Sequence, residues 1–183
     1  DLSRIESGML EMVPCPVNVR EFAKGLEILF EEQARGRGLL FEFVVEDDCP
    51  EILVFDPLRV RQVLVNLLTN ALKFTKEGSI RGFIWAKEVE EARCELAFSV
   101  QDTGRGIARN KMAMVFQPFC QAEPSDEMLG GTGLGLSICH ELATLMGGDI
   151  EVTSEVGIGT EFRLILYQVE VVKVWESQSE DDT

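Results

Sequence analysis

Ten residues in the second half of the chain, LGGTGLGLSI at 129–138, place four glycines just before an apolar stretch. A run so rich in glycine lets backbone N–H groups approach a ligand closely, most often a phosphate. The two common phosphate loops do not fit, because G-x-G-x-x-G lacks its third glycine and the P-loop pattern has Leu136 in place of lysine. The run still opens a helix, whose N-terminus attracts anions. The alternative is a merely flexible loop before a helix.

A predicted helix at 56–74 carries a second set of polar residues. At about 100° per residue, one narrow face holds the polar side chains Arg59, Gln62, Asn66, Asn70 and Lys73. Solvated helix faces favour Glu and Lys, whereas asparagine is a poor helix former, so this face indicates a binding role. Amide oxygens suit Mg²⁺, which is bound by few protein ligands together with phosphate oxygens. The alternative is an ordinary solvated face.

A third motif, DTGRGI at 102–107, follows an alternating strand pattern. The Asp102 carboxylate is suited to accept a hydrogen bond from an exocyclic amine such as that of adenine. Gly104 and Gly106 would let the ring approach the backbone, and Ile107 would pack against it. The alternative is that Asp102 only caps a turn.

Helices and strands must position these motifs. The first twelve residues have a heptad-like apolar seam (Leu2, Ile5, Met9 and Met12), typical of the end of a longer helix. Capping signals at Asn18 and at Asp56-Pro57 start two further helices, which end near Gly36 and Phe74. Short helices are predicted near 109–116 and at 137–146, and strands at 39–45, 80–88, 94–102, 149–154 and 160–166. The pattern predicts one domain of helices packed on a mostly antiparallel sheet.

Composition excludes several classes of protein. The net charge of −15 argues against a nucleic-acid-binding surface. No stretch reaches 18 uninterrupted apolar residues, so no membrane contact is expected from this chain. The five cysteines form no C-x-x-C pair and are expected to be reduced, mostly core thiols of a cytoplasmic protein. The acidic end, ESQSEDDT, reads as a tail or linker.

Taken together, NLLTNALKFT, DTGRGI, FQPF and GGTGLGLSI resemble the N, G1, F and G2 boxes of sensor histidine kinases, in that order. These kinases belong to the GHKL group, with gyrase, the heat-shock chaperone and mismatch-repair ATPases. The resemblance covers roughly 17–167 and implies a Bergerat-type α+β fold, with a mixed, mostly antiparallel sheet and helices on one face. It implies three parts: the end of a dimerisation-hairpin helix (1–13), the catalytic domain (14–168) and a C-terminal extension (169–183).

The resemblance also assigns roles to individual residues. Asn70 matches the Mg²⁺-binding asparagine, with Asn66 beside the metal and Lys73 as a phosphate contact. Asp102 matches the adenine-recognising aspartate. The residues matching the rest of the ATP site are Gly104, Gly106, Ile107, the lid aromatics Phe116 and Phe119, Gly131, Thr132, Gly133, Leu134, Gly135 and Thr160. The segment 108–129 would be the lid that closes over ATP, and Arg105 stands where isoleucine is more usual.

One position separates a kinase from a hydrolase. The ATP-hydrolysing relatives have a glutamate four residues before the metal-binding asparagine, and this chain has Asn66 there, which cannot accept a proton at neutral pH. The expected activity is transfer of the ATP γ-phosphoryl to a histidine on a separate dimerisation domain in a homodimer, with a response regulator or fused receiver downstream. His140, the single histidine, is expected to be structural. The alternatives are a GHKL-fold ATPase and a nucleotide-sensing module without transfer.

Overall fold

The computed structural model describes residues 2–120 and 135–174. Its helices are α1 (Leu2–Glu6), α2 (Val19–Gly36), α3 (Pro57–Phe74), α4 (Arg109–Met112) and α5 (Gly135–Leu145). Its strands are β1 (Cys15–Asn18), β2 (Leu40–Val45), β3 (Ile52–Phe55), β4 (Ser79–Glu90), β5 (Arg93–Asp102), β6 (Gly148–Glu155) and β7 (Gly159–Val172). Within these two ranges, none of the helices is long and apolar enough to cross a membrane.

The strands form one mixed sheet in the order β1-β3-β7-β5-β4-β2, and β6 pairs with the first half of β7. Every pair is antiparallel except β2 with β4. Helices α2, α3 and α5 pack together on this sheet and enclose a continuous apolar core. This arrangement confirms the predicted α+β class. Strands β5 and β7 lie near the centre, and their register sets Asp102 opposite Thr160.

Local signals start and stop the two long helices as predicted. The Asn18 side chain accepts the Glu21 N–H at 3.0 Å and caps α2. Asp56 caps α3 by accepting the N–H groups of Leu58 and Arg59, both at 3.1 Å. The apolar side of α3 is buried, so the amide face is turned away from the core (buried: Val60, Val63, Leu64, Leu67, Leu68, Ala71 and Leu72).

The helix predicted over 1–12 is wrong beyond Glu6. Gly8 adopts φ +68° and donates its N–H to Ile5, while Met9 donates to Arg4. These bonds form a Schellman motif, which ends a helix with a left-handed glycine. The apolar seam therefore breaks: Ile5 is buried, but Met9 is 77% exposed.

Two strands, β1 and β3, were missed by the sequence analysis. Both are four residues long, and they pair with each other through Cys15–Phe55 and its neighbours. Pro16 lies in β1, at the edge of the sheet, where a missing N–H is tolerated. Strand β7 is also longer than predicted, since it runs to Val172 and pairs with β3 there. The last strand thus continues past 168, the predicted end of the catalytic domain.

Three of the five cysteines, Cys49, Cys94 and Cys139, are buried, while Cys15 and Cys120 are partly exposed. All five are free thiols. The expectation that most of the cysteines lie in the core is therefore confirmed.

Candidate functional site

The amide face of α3 lies beside the start of α5. Asn66, Asn70 and Lys73 are all half-buried. A Cβ placed on Gly135 would lie 3.6 Å from Asn66 Oδ1, so the end of the glycine-rich run meets this face. Burial raises the pKa of Cys139 to about 12, opposed by a hydrogen bond with the Asn66 side chain. Helix packing therefore brings together two of the three motifs.

The third motif begins at the end of β5, where Asp102 is only 9% exposed. Its Oδ1 accepts the Gly104 N–H at 2.8 Å. Burial raises the pKa of Asp102 above its usual value of 3.8, and hydrogen bonds from the backbone of Gly104 and Thr160 partly oppose that rise. The carboxylate is thus a fixed acceptor at the rim of the sheet.

A serine that sequence analysis did not single out holds this rim together. Ser154 Oγ accepts the Ile107 N–H at 2.7 Å and donates to the Gly159 carbonyl at 2.9 Å. It also lies 2.8 Å from Thr160 Oγ1, whose hydroxyl then donates to it. In the sequence, Ser154 could have been found as a polar residue on the same face of β6 as the apolar Ile150 and Val152.

Glycines around Asp102 allow close backbone approach. A Cβ on Gly104 would lie 2.6 Å from the Phe74 carbonyl oxygen, so the loop packs directly on the end of α3. A Cβ on Gly106 would lie 2.2 Å from the Glu155 carbonyl oxygen, and one on Gly159 would lie 2.0 Å from that of Asp102. The rim therefore has room for backbone only at these three positions.

The Gly106 and Gly157 positions give a matched test of this packing. Both have positive φ, +74° and +81°, but no described atom lies within 4 Å of a Cβ on Gly157. We expect Gly157→Ala to lower the free energy of unfolding by about 1–2 kcal/mol, the cost of the left-handed backbone. Gly106→Ala should cost about 2–5 kcal/mol, because overpacking against Glu155 is added. Urea unfolding measures both, and equal losses would contradict the close packing.

Two cationic side chains lie over the ring of Phe74, at the end of α3 beside the Asp102 loop. Arg105 Cζ lies 4.4 Å from the centre of the Phe74 ring, and Lys73 Nζ lies 5.1 Å from it. Cations at such distances are attracted by the ring face. Arg105, at the position where the sequence departs from its resemblance, thus packs against Phe74. Both positive charges therefore lie near the Phe74 ring, at the end of α3.

The two aromatic residues of FQPF occupy different environments. The half-buried Phe116 ring lies 5.7 Å from the His140 ring and 6.1 Å from that of Phe162. Phe119 is 73% exposed and has φ +60°. Helix α4 ends at Met112, earlier than predicted. Gly131, Thr132, Gly133 and Leu134 lie outside the described residues.

Comparison with known proteins places this arrangement in a family. A family model described as histidine kinase-, DNA gyrase B- and HSP90-like ATPase matches residues 55–170. Sensor histidine kinase GacS of Pseudomonas protegens is 40% identical over 167 residues, which are 91% of this chain and 18% of GacS. Histidine-protein kinase BarA of Escherichia coli (strain K12) is 33% identical over 163 residues, 88% of this chain and 18% of BarA. The chain therefore spans less than a fifth of these relatives.

Solved structures give the same result. Full-length ShkA in complex with AMPPNP matches with a TM-score of 0.79 and 29% identity, over 93% of this chain and 34% of that one. The catalytic domain of histidine kinase ThkA matches with a TM-score of 0.69 and 27% identity, over 86% of this chain and 99% of that domain. The chain belongs to the family of histidine kinase-, DNA gyrase B- and HSP90-like ATPases, as an ATP-binding catalytic domain of the sensor histidine kinase type.

Proposed function

We propose that this chain binds ATP with Mg²⁺ and transfers the γ-phosphoryl to a histidine on a separate dimerisation hairpin. The observation that carries the proposal is the buried Asp102 carboxylate, held by the N–H groups of Gly104 and Thr160 beside glycines that leave no room for side chains. A buried acceptor next to bare backbone suits the amine and flat ring of adenine. The ShkA structure, which is in complex with AMPPNP, supports a nucleotide as the ligand.

The amide face of α3 supplies the phosphate end of the proposed site. Asn70 and Asn66 offer neutral amide oxygens to Mg²⁺, and Lys73 offers a charge to the phosphates. When bound, Mg²⁺ would neutralise phosphate charge. The protein's own contribution is position, because phosphoryl transfer depends mainly on alignment and charge stabilisation. Gly135 beside Asn66 brings the helix α5 N-terminus toward the same place.

Hydrolysis of ATP and simple ATP binding are the two alternatives. An ATPase needs a base to activate water, and Asn66 beside the metal position has no basic group to do so. A module that only senses ATP would use Asn70 and Lys73 as well, so what supports transfer over simple binding is the likeness to proteins named as histidine kinases. We therefore favour transfer over hydrolysis and over simple binding.

Partners outside this chain complete the proposed reaction. His140 packs against the Phe116 ring at 5.7 Å and belongs to the scaffold of the site, which disfavours it as the acceptor. The acceptor would be a histidine on the dimerisation hairpin of the same protein, acting as a homodimer, and a response regulator or fused receiver would take the phosphoryl next. In this proposal Phe116 and Phe119 belong to a lid, 108–129, that closes over bound ATP. Residues 121–129 of this lid lie outside the described residues.

A transfer assay tests the proposal. The chain is mixed with the His-bearing hairpin of its parent protein and with ATP labelled at the γ-phosphate. We expect label on the hairpin, none on the chain, and slow phosphate release when the hairpin is left out. ATP binding without labelled hairpin would indicate the sensing module, and rapid phosphate release without hairpin would indicate the ATPase.

A further inference from the structure

The segment that joins α1 to β1, residues 7–14, is docked on the helices of the site. Helix α1 lies beside α5 and buries Ile5 in the core. After the turn at Gly8, Leu10 and Met12 pack partly against the core, while Met9 and Val13 are 77% and 66% exposed. This alternation is that of an extended chain lying on a surface.

One buried carboxylate joins this segment to α3. Asp56 is 6% exposed, and its Oδ2 accepts the Val13 N–H at 2.8 Å. Its Oδ1 accepts the N–H groups of Leu58 and Arg59, each at 3.1 Å, at the start of α3. Hydrogen bonds to an ionised acceptor are stronger than those between neutral groups. The two oxygens of Asp56 therefore hold the segment before β1 and the first turn of α3 next to each other.

We propose that Asp56 is a positioning residue that fixes the segment before β1 relative to the helix carrying Asn66, Asn70 and Lys73. Helix α3 is a continuous helix of 18 residues held by its own buried face, so a segment fixed at its first turn is also fixed relative to the residues further along it. The docked segment keeps whatever precedes α1 at a defined place beside α3 and α5. The contact itself is independent of the function, but its consequence for catalysis rests on the proposed phosphoryl transfer.

The Val13–Asp56 bond is expected to affect phosphoryl transfer and not ATP binding. An acceptor histidine upstream of α1 must meet the γ-phosphoryl held along α3. A fixed link keeps the two groups at a high effective concentration, and a released link of eight residues lets them separate. Asp56 is not part of the ATP site, so nucleotide affinity should not depend on the Val13 bond.

Two substitutions remove the hydrogen bond between Val13 and Asp56 in independent ways. Asp56→Asn retains an oxygen that can cap α3, but it places an NH₂ group where Oδ2 accepts from Val13. Val13→Pro removes the donor and leaves Asp56 intact. Val13→Ala is the matched control, because it shortens an exposed side chain and keeps the N–H.

Three measurements are made on each variant. Cleavage after Glu11 by a Glu-specific protease and affinity for a fluorescent ATP analogue are measured on the 183-residue chain. Glu11 is exposed between the half-buried Leu10 and Met12. Histidine phosphorylation is measured on the parent protein, which includes the hairpin. We expect Asp56→Asn and Val13→Pro to speed cleavage after Glu11 about tenfold or more, because the segment must leave the surface to be cut. Phosphorylation should fall about two- to thirtyfold, ATP affinity should stay within twofold, and Val13→Ala should match wild type.

Several results would overturn the proposal. Unchanged cleavage in both Asp56→Asn and Val13→Pro would show that the bond does not hold the segment. Faster cleavage with phosphorylation unchanged or increased would show that the docking does not position the acceptor. An equal fall in ATP affinity and phosphorylation would place the effect on α3 itself. Failure of the proposed function appears separately, as a wild-type parent protein that binds no ATP or labels no histidine.

Discussion

Asp102→Asn should weaken ATP binding roughly ten- to a hundredfold, measured by titration with a fluorescent ATP analogue. The substitution replaces a buried charged acceptor, and hydrogen bonds to charged groups contribute about 1.5–3 kcal/mol. Asparagine also replaces one acceptor oxygen with an NH₂ donor. That NH₂ group must face another donor, either the adenine amine or the N–H groups of Gly104 and Thr160 that bind the carboxylate in the wild type. Unchanged affinity would contradict the assignment of Asp102.

The control is Glu95→Gln, which removes one charge from the other face of the same strand and should leave affinity unchanged. The pH profile gives an independent check. Burial raises the pKa of Asp102 above 3.8, so protonation begins at a higher pH than for an ordinary aspartate. As the pH falls through that raised pKa, the carboxylate gains a proton and ATP affinity should decline. Asp102→Asn should lack this decline and report any titration of the nucleotide itself.

Asn70→Ala should lower the rate of phosphoryl transfer to the hairpin about 10²–10³-fold at saturating Mg²⁺ and ATP. Losing one electrostatic contact to the reacting groups has effects of this size in other enzymes. The loss should not come from unfolding, because alanine is the better helix former and Asn70 lies on the half-exposed side of α3. The measurement is label transferred from γ-phosphate-labelled ATP to the hairpin.

Thr69→Ala, at the exposed neighbouring position on α3, is the matched control and should transfer at the wild-type rate. Affinity for ATP measured with a chelator in place of Mg²⁺ should be similar in wild type and Asn70→Ala, since the proposed contact is to the metal. Transfer within threefold of wild type would exclude Asn70 as a metal ligand. A large loss of affinity in the chelator would show that Asn70 acts on the nucleotide directly.

The parts of the fold that sequence analysis predicted correctly depend on local interactions. Helices α2 and α3 were predicted because their caps at Asn18 and Asp56 lie within three residues of the groups they bind. Strands β1 and β3 were missed because four residues carry too short a pattern, and their pairing joins residues about forty positions apart. The helix at the N-terminus was overextended because its apolar spacing outweighed Gly8, whose left-handed φ ends it.

The same division applies to the site. Motifs contributed the residue types, such as the asparagines of α3 and the glycines after Asp102, since an amide or a missing Cβ has the same chemistry in any setting. The Ser154 network and the stacking of Arg105 on Phe74 join different elements, so no single motif contained them. Whether Gly131 to Leu134 face the phosphates stays a prediction.

By itself, the sequence determined the α+β class and the family, and it supplied the residues proposed to bind or align a ligand. Those depend on side-chain chemistry, helix periodicity and the order of four motifs. Only the tertiary structure decided that Asp102 is buried with two backbone donors, that Gly106 has no room for a Cβ, and that Asp56 holds Val13 as well as α3. Burial, pKa and cross-strand bonds come from neighbours that are distant in sequence, and these become neighbours only when the sheet and helices pack.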